Sequence, residues 1–344
     1  MSSFDPNGVA VSNGNFMGLP YTTTEAQIIL LPVPWDVTTS YRPGTSSGPA
    51  AIMEASLQLD LYDADLADAW QNKIAVIETS GSIMELNAVL RPVAEEVIDY
   101  LANGGDETDD AIYGKIQEVN NGSAVLNDTV TQAATNWLDQ GKIVGVIGGE
   151  HSVPLGLITE LARRYPDLGI LHIDAHADLR EAYEGFTCSH ASIMFNTLKR
   201  TAIKQLVQVA VRDFCQDELD LAGLDSRVSL YTDVQLASRQ FEGETWYRLC
   251  EEIVSKLPSE VYISFDIDGL SPDLCPNTGT PVPGGLTFRQ AEYLLRTLVL
   301  SGRKIVGFDL CEVAPGSEGS EWDANVGARV LQKLCNLTAL SQQG

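Results

Sequence analysis

The chain has 344 residues, 44% hydrophobic and 20% charged, a balance that excludes a mainly disordered or collagen-like protein. Its 22 Lys and Arg against 47 Asp and Glu give a formal charge of −25, which argues against a nucleic-acid partner and against docking on anionic lipid, since both need clustered cations. No uninterrupted apolar run reaches the roughly 18 residues of a membrane span, the first residues lack the cationic start and apolar core of a signal peptide, and the cysteines are scattered without a CxxC pair, so a cytoplasmic protein with reduced thiols is expected.

Residues 1–26 are rich in Gly, Asn, Ser and Thr and read as an irregular arm. The apolar runs 27–33 and 73–77 follow as strands, with a helical pattern near 86–102. The polar stretch 103–111 (NGGDETDDA) reads as a surface insertion. Beyond it come a helix near 124–140, a strand at 142–147, a helix near 154–164 and a strand at 168–173. A helix near 190–200 precedes strands at 206–211 and 228–231. A helix near 243–256, a strand at 261–266, a helix near 287–301, a strand at 304–310 and a helix near 323–336 complete the pattern. Several strands are apolar throughout, as central parallel strands covered on both faces are. Strand and helix alternate, so the expected fold is α/β, a doubly wound parallel sheet, with 27–344 as a single domain.

The four histidines, His151, His172, His176 and His190, all fall within forty residues. Asp174, His176 and Asp178 are spaced i, i+2, i+4 just past the strand 168–173. If the chain stays extended there, all three side chains point to one side, about 6.6 Å apart per two residues, and slight curvature lets them converge. Gly148-Gly149-Glu150-His151-Ser152 follows the strand 142–147, and Asp266-Ile267-Asp268 closes the strand 261–266. Carboxyl ends of strands are where open α/β sheets place their sites. Two imidazoles (His151, His176) and four carboxylates (Asp174, Asp178, Asp266, Asp268) exceed the three protein ligands usual for one catalytic zinc. They suit two ions about 3.5–4 Å apart that share carboxylates. The oxygen-rich set favours Mn²⁺, with Ni²⁺ or Fe²⁺ as alternatives. His172 is read as a structural residue pointing away from this set.

With these residues in view, the chain resembles the ureohydrolase (arginase/agmatinase) family. Gly148–Ser152, Asp174–Asp178 and Ser264–Leu270 are similar to its three signature motifs, and Pro34–Pro49, Asn277–Gly285 and Gly307–Pro315 look like further family segments. The resemblance runs from about residue 27 to 336. It implies a three-layer α/β/α arginase-like fold around an eight-stranded parallel sheet, a binuclear metal centre of the manganese type, and hydrolysis of a guanidino group to urea. It implies His151 and Asp178 on one metal, His176 and Asp268 on the other, and Asp174 and Asp266 bridging, with Asp178 also counted in the catalytic set. Glu312 matches the position that orients the guanidinium, and His190 the proton-shuttle histidine. A homo-oligomer, trimer or hexamer, is implied as well.

A guanidinium carbon is cationic and resonance-stabilised, so its attack needs hydroxide, which paired divalent cations make available near neutral pH. Arginases hold the amino-acid end of their substrate with small polar residues after the Asp-His motif. Here the loop is Leu179-Arg180-Glu181-Ala182-Tyr183-Glu184-Gly185-Phe186-Thr187-Cys188, more similar to that of bacterial agmatinases. Trp35 and Trp322 are expected to add bulk beside the substrate. The run Glu321–Gly327 departs from common agmatinases and looks like a branch that includes guanidine hydrolases. Free guanidine is therefore the first expectation for the small cationic substrate, agmatine the second, and arginine or a guanidino acid the third. The rivals are a deacetylase with a single zinc on one His and two Asp, against which the further ligands His151 and Asp268 argue, and a binding protein that kept the fold without the chemistry.

Overall fold

A computed structural model describes residues 4–316 and 320–343. Eight strands form one sheet: β1 (Ile28–Val33), β2 (Ile74–Val76), β3 (Ile143–Gly148), β4 (Gly169–Ile173), β5 (Gln205–Val211), β6 (Val228–Thr232), β7 (Glu260–Asp266) and β8 (Lys304–Cys311). Their spatial order is β2-β1-β3-β8-β7-β4-β5-β6, and every pairing is parallel. Each apolar run expected to be a strand is one. The central strands are buried nearly throughout, because helices cover both faces.

Among the described residues ten α-helices follow: α1 (Gly48–Ala55), α2 (Gly81–Ala102), α3 (Asp110–Leu138), α4 (Leu155–Arg164), α5 (Ile193–Arg200), α6 (Gln216–Leu224), α7 (Asp233–Phe241), α8 (Trp246–Ser255), α9 (Phe288–Leu300) and α10 (Trp322–Ser341). Side chains of α1, α8, α9 and α10 share one apolar cluster with one face of the sheet. Those of α2, α3, α4 and α5 share a second cluster with the other face. This is the three-layer α/β/α arrangement. Thr287 and Gln290 start α9 with a reciprocal cap, and Thr232 and Gln235 do the same for α7.

Three helices escape the sequence pattern: α1, α6 and α7. The acidic stretch also proves shorter as a loop, since Asp109 accepts the Ala111 N–H at 3.0 Å and opens α3 fourteen residues before the expected 124. Gly114, Asn120, Asn121 and Gly122 mask the first half of α3 because their helix propensity is low. The arm is tied down: Asn15 donates to Leu19, Tyr21 and Ile74 carbonyls and accepts from Val76 N–H, and Phe16, Met17 and Leu19 are buried. All six cysteines are free thiols. No described helix is long and apolar enough to cross a membrane.

Candidate metal centre

The four central strands in spatial order, β3-β8-β7-β4, end side by side, and each delivers acid or imidazole from its carboxyl end. The turn after β3 carries Glu150 and His151, β8 runs into Glu312, β7 into Asp266 and Asp268, and β4 into Asp174, His176 and Asp178. Close backbone approach makes this possible. A Cβ on Gly149 would lie 2.0 Å from the Trp35 carbonyl oxygen, so only glycine fits between β1 and β3 here. Asp178 and Glu312 hold left-handed backbones, with φ of 53° and 62°, an uncommon state for residues with a side chain and one found where a site constrains the chain.

All six expected ligands converge. His151 Nδ1 lies 3.0 Å from Asp174 Oδ2, 3.2 Å from Asp178 Oδ2 and 3.3 Å from Asp266 Oδ2. His176 Nδ1 lies 3.4 Å from Asp174 Oδ1 and 3.1 Å from Asp268 Oδ2. Asp174 thus belongs to two groups of donors, one with His151 and Asp178 and one with His176 and Asp268. A carboxylate shared between two sets of ligands is what a pair of ions requires.

The donor chemistry fits cations. His151 Nε2 donates to Ser264 Oγ at 2.8 Å, and Ser264 passes its own proton to Asp309 at 2.9 Å. That bond places the ring proton on Nε2 and turns the Nδ1 lone pair toward three carboxylates, an arrangement that demands a positive charge between them. Among the described residues no Lys or Arg pairs with Asp174, Asp178, Asp266 or Asp268. Asp268 Oδ2 is buried without a hydrogen bond, an oxygen left for a ligand. Without metal, protons take the cations' place. Burial and then the charge of Asp174 push Asp178 up to about 6, and burial with Asp268 and Asp174 pushes Asp266 well above the carboxylate range. His151 is raised well above its ordinary value: burial opposes the charge, but Asp174, Asp178, Asp266 and Asp309 outweigh it.

His172 corrects an expectation. It stands two residues before Asp174, so strand alternation puts both on the same side, and its Nε2 lies 2.8 Å from Asp174 Oδ2. Gln208 Nε2 donates to Ala177 O at 2.6 Å and to His172 Nδ1 at 3.0 Å, which leaves the His172 proton on Nε2, facing the shared carboxylate. His172 therefore braces Asp174. Ser264, Asp309 and Gln208 were not singled out from the sequence. Ser264 was visible inside a quoted motif, whereas Gln208 and Asp309 sit on apolar strands where one polar residue carries no pattern.

Glu312 is buried beside the centre. Its Oε1 accepts the His151 N–H at 2.9 Å, its own N–H donates to Gly149 O at 2.7 Å, and Oε2 faces Gly279. Burial, then the nearby Glu150, raises its carboxyl well above the usual range. His190 begins the turn into α5, and burial followed by the charge of His176 lowers its imidazole to about 4. A pocket of about 140 Å³ opens between His176, Asp178, Arg180, Tyr183, His190 and Thr280. The two tryptophans lie elsewhere. Trp35 is fully buried in the apolar cluster under α2 and α3, and Trp322 is 49% exposed at the start of α10, donating to Asp273 O at 2.9 Å. Neither is among the residues lining that pocket.

A three-layer parallel α/β sheet with two sets of His and Asp donors joined by one carboxylate defines a hydrolase built for a pair of metal ions. Residues 26–336 match the model of the arginase family. The chain is 31% identical over 297 residues to an N(1)-aminopropylagmatine ureohydrolase of Thermus thermophilus, covering 86% of this chain and 85% of the relative. It is 28% identical to an agmatinase of Bacillus anthracis, covering 86% and 87%. The agmatine ureohydrolase of Thermoplasma volcanium shares its fold, with a TM-score of 0.72, 23% identity and 97% of each chain covered. The protein belongs to the arginase family, the ureohydrolases, and is a hydrolase of guanidino C–N bonds.

Proposed function

We propose that the protein hydrolyses free guanidine to urea and ammonia, with two Mn²⁺ ions, or Ni²⁺ in their place. His151 and Asp178 would hold one ion, His176 and Asp268 the other, and Asp174 and Asp266 both. When bound, the ions supply Lewis acidity that makes hydroxide available near neutral pH. Glu312 receives the planar cation through paired hydrogen bonds, its Oε1 already steadied by the His151 N–H. His190 carries a proton to the departing nitrogen, so that ammonia rather than its anion leaves.

The observation that carries the choice of substrate is the outer wall of the pocket. Arg180 stacks over the Tyr183 ring at 5.0 Å, and Tyr183 meets His190 edge-on at 6.0 Å between ring centres. This wall narrows a pocket of about 140 Å³, and a longer cationic tail would have to pass Arg180, which also lies 3.7 Å from Glu218. A compact cation with no tail avoids both penalties. Agmatine is the second reading. It is favoured by the relatives' activities and by Asp213, an exposed carboxylate on the rim that forms no ion pair among the described residues. Urea release from guanidine, agmatine, arginine and guanidinobutyrate, on protein loaded with Mn²⁺ or Ni²⁺, tests this. The highest kcat/KM is expected on guanidine. A longer guanidino compound turned over far better would replace it.

A further inference from the structure

Outside the metal ligands, the most connected buried acid is Glu150. It is fully buried and has no cationic partner among the described residues. Its carboxylate gathers hydroxyl and amide protons instead. Oε1 accepts from Ser152 Oγ at 2.6 Å and from Thr38 Oγ1 at 2.8 Å. Oε2 accepts from Thr38 N–H at 2.7 Å and from Thr39 Oγ1 at 3.4 Å. Thr38 is also the residue that meets His190. The His190 N–H donates to Thr38 Oγ1 at 3.1 Å, and His190 Nδ1 lies 3.4 Å from the same oxygen.

One hydroxyl has one proton. Four donors converge on Glu150 and favour its ionised form, and an ionised carboxylate at 2.8 Å is a far stronger acceptor than an imidazole nitrogen at 3.4 Å, so the Thr38 proton then goes to Glu150. Only lone pairs then remain on Thr38 Oγ1 toward His190. The backbone N–H takes one of them, and the ring can bond to the other only if Nδ1 carries hydrogen. A bare Nδ1 would instead face a lone pair with a lone pair.

We infer that Glu150 and Thr38 are positioning residues that fix the proton of neutral His190 on Nδ1 and leave Nε2 as the basic nitrogen for the pocket. Nε2 takes one proton from the reacting centre and returns it to the departing nitrogen, while Nδ1–H stays on Thr38, so no net proton is consumed by the ring. This rests on the reading of His190 as the proton carrier. The logic is that of an acid orienting a catalytic imidazole, with a threonine hydroxyl interposed.

The test combines two variants with a double-mutant cycle, each protein first shown by metal analysis to hold its ions. Thr38→Val keeps the shape and removes the hydroxyl. It is expected to lower kcat on the order of 10–100-fold, within the range of acid–base contributions, with KM nearly unchanged. Thr38→Ser is expected to restore most of the rate. In a His190→Asn background, Thr38→Val is expected to change kcat by less than about 2-fold, because the two residues act as one unit. Equal losses from Thr38→Val in both backgrounds, or failure of Thr38→Ser to restore activity, would overturn the inference. An undiminished kcat in His190→Asn alone would remove the underlying reading of His190 instead, so the two failures are told apart.

Discussion

Single atoms decide the chemistry of the centre. His151 can offer Nδ1 to a cation only while Nε2–H is held by Ser264, and Ser264 is held in turn by Asp309. Ser264→Ala is therefore expected to weaken metal binding about 10–100-fold, measured by competition with a chelator, while the fold persists. Unchanged affinity would mean that the ring is oriented by packing alone. Protons compete for the same positions. Burial and Asp174 push Asp178 up to about 6, so its carboxylate is free for a cation above that pH and occupied by hydrogen below it. The apparent affinity for metal, read by competition with a chelator, is expected to fall as pH drops below about 6. The metal-free protein should behave in the opposite sense. A carboxyl whose folded value lies above its unfolded value binds more protons when folded, so stability falls as pH rises from the ordinary carboxylate range to about 6 and is level above it. Melting temperatures of metal-free protein at pH 5 and pH 8 check this, with the lower pH the more stable as far as this site is concerned. The ligands themselves were legible because histidine is scarce in the chain and concentrated at strand ends. Their supports were not, since Gln208 and Asp309 only acquire meaning once β5 and β8 are set beside the centre.

Elements place these atoms by holding loops, not only by ending at the right point. The loop after β7 supplies Thr280 to the pocket, and Thr278 Oγ1 donates to the Glu312 carbonyl at 2.8 Å. Asp323, wholly buried in the first turn of α10, accepts from Asn277 N–H and Nδ2 at 2.8 Å each. Arg212 clasps the same loop through carbonyl oxygens of Val282, Asp268 and Leu270. Asp323→Ala removes a buried carboxylate that holds two half-buried donors, and is expected to cost about 1–3 kcal/mol in urea denaturation and to raise KM for the substrate. An unchanged KM would show that the loop is held without α10. Trp322 belongs to this account as a residue that pins the loop at Asp273, where the sequence suggested a pocket wall. Strands were readable as apolar runs because helices bury both faces of the sheet. Helix α1 opens on Gly-Pro, and α6 and α7 are short with one fully buried residue each, Glu218 and Leu236, so none carries a long apolar stripe.

Over the whole molecule, strand order does what no segment can do alone. Motifs that follow β3, β4, β7 and β8 are separated by up to 161 residues in the chain, as His151 and Glu312 are, yet their strands are neighbours. That order could not be derived from periodicity, which is blind to which strand lies beside which. Part of the −25 charge is also explained at this scale. Glu150, Asp174, Asp178, Asp266, Asp268, Asp309 and Glu312 are all buried around one point, an arrangement that self-repels unless cations enter. The most direct measurement is anomalous scattering from crystals of the Mn²⁺-loaded protein. Two peaks about 3.5–4 Å apart are expected, both within bonding reach of the Asp174 carboxylate. One peak, or two that do not share Asp174, would contradict the binuclear centre on which the hydrolysis depends.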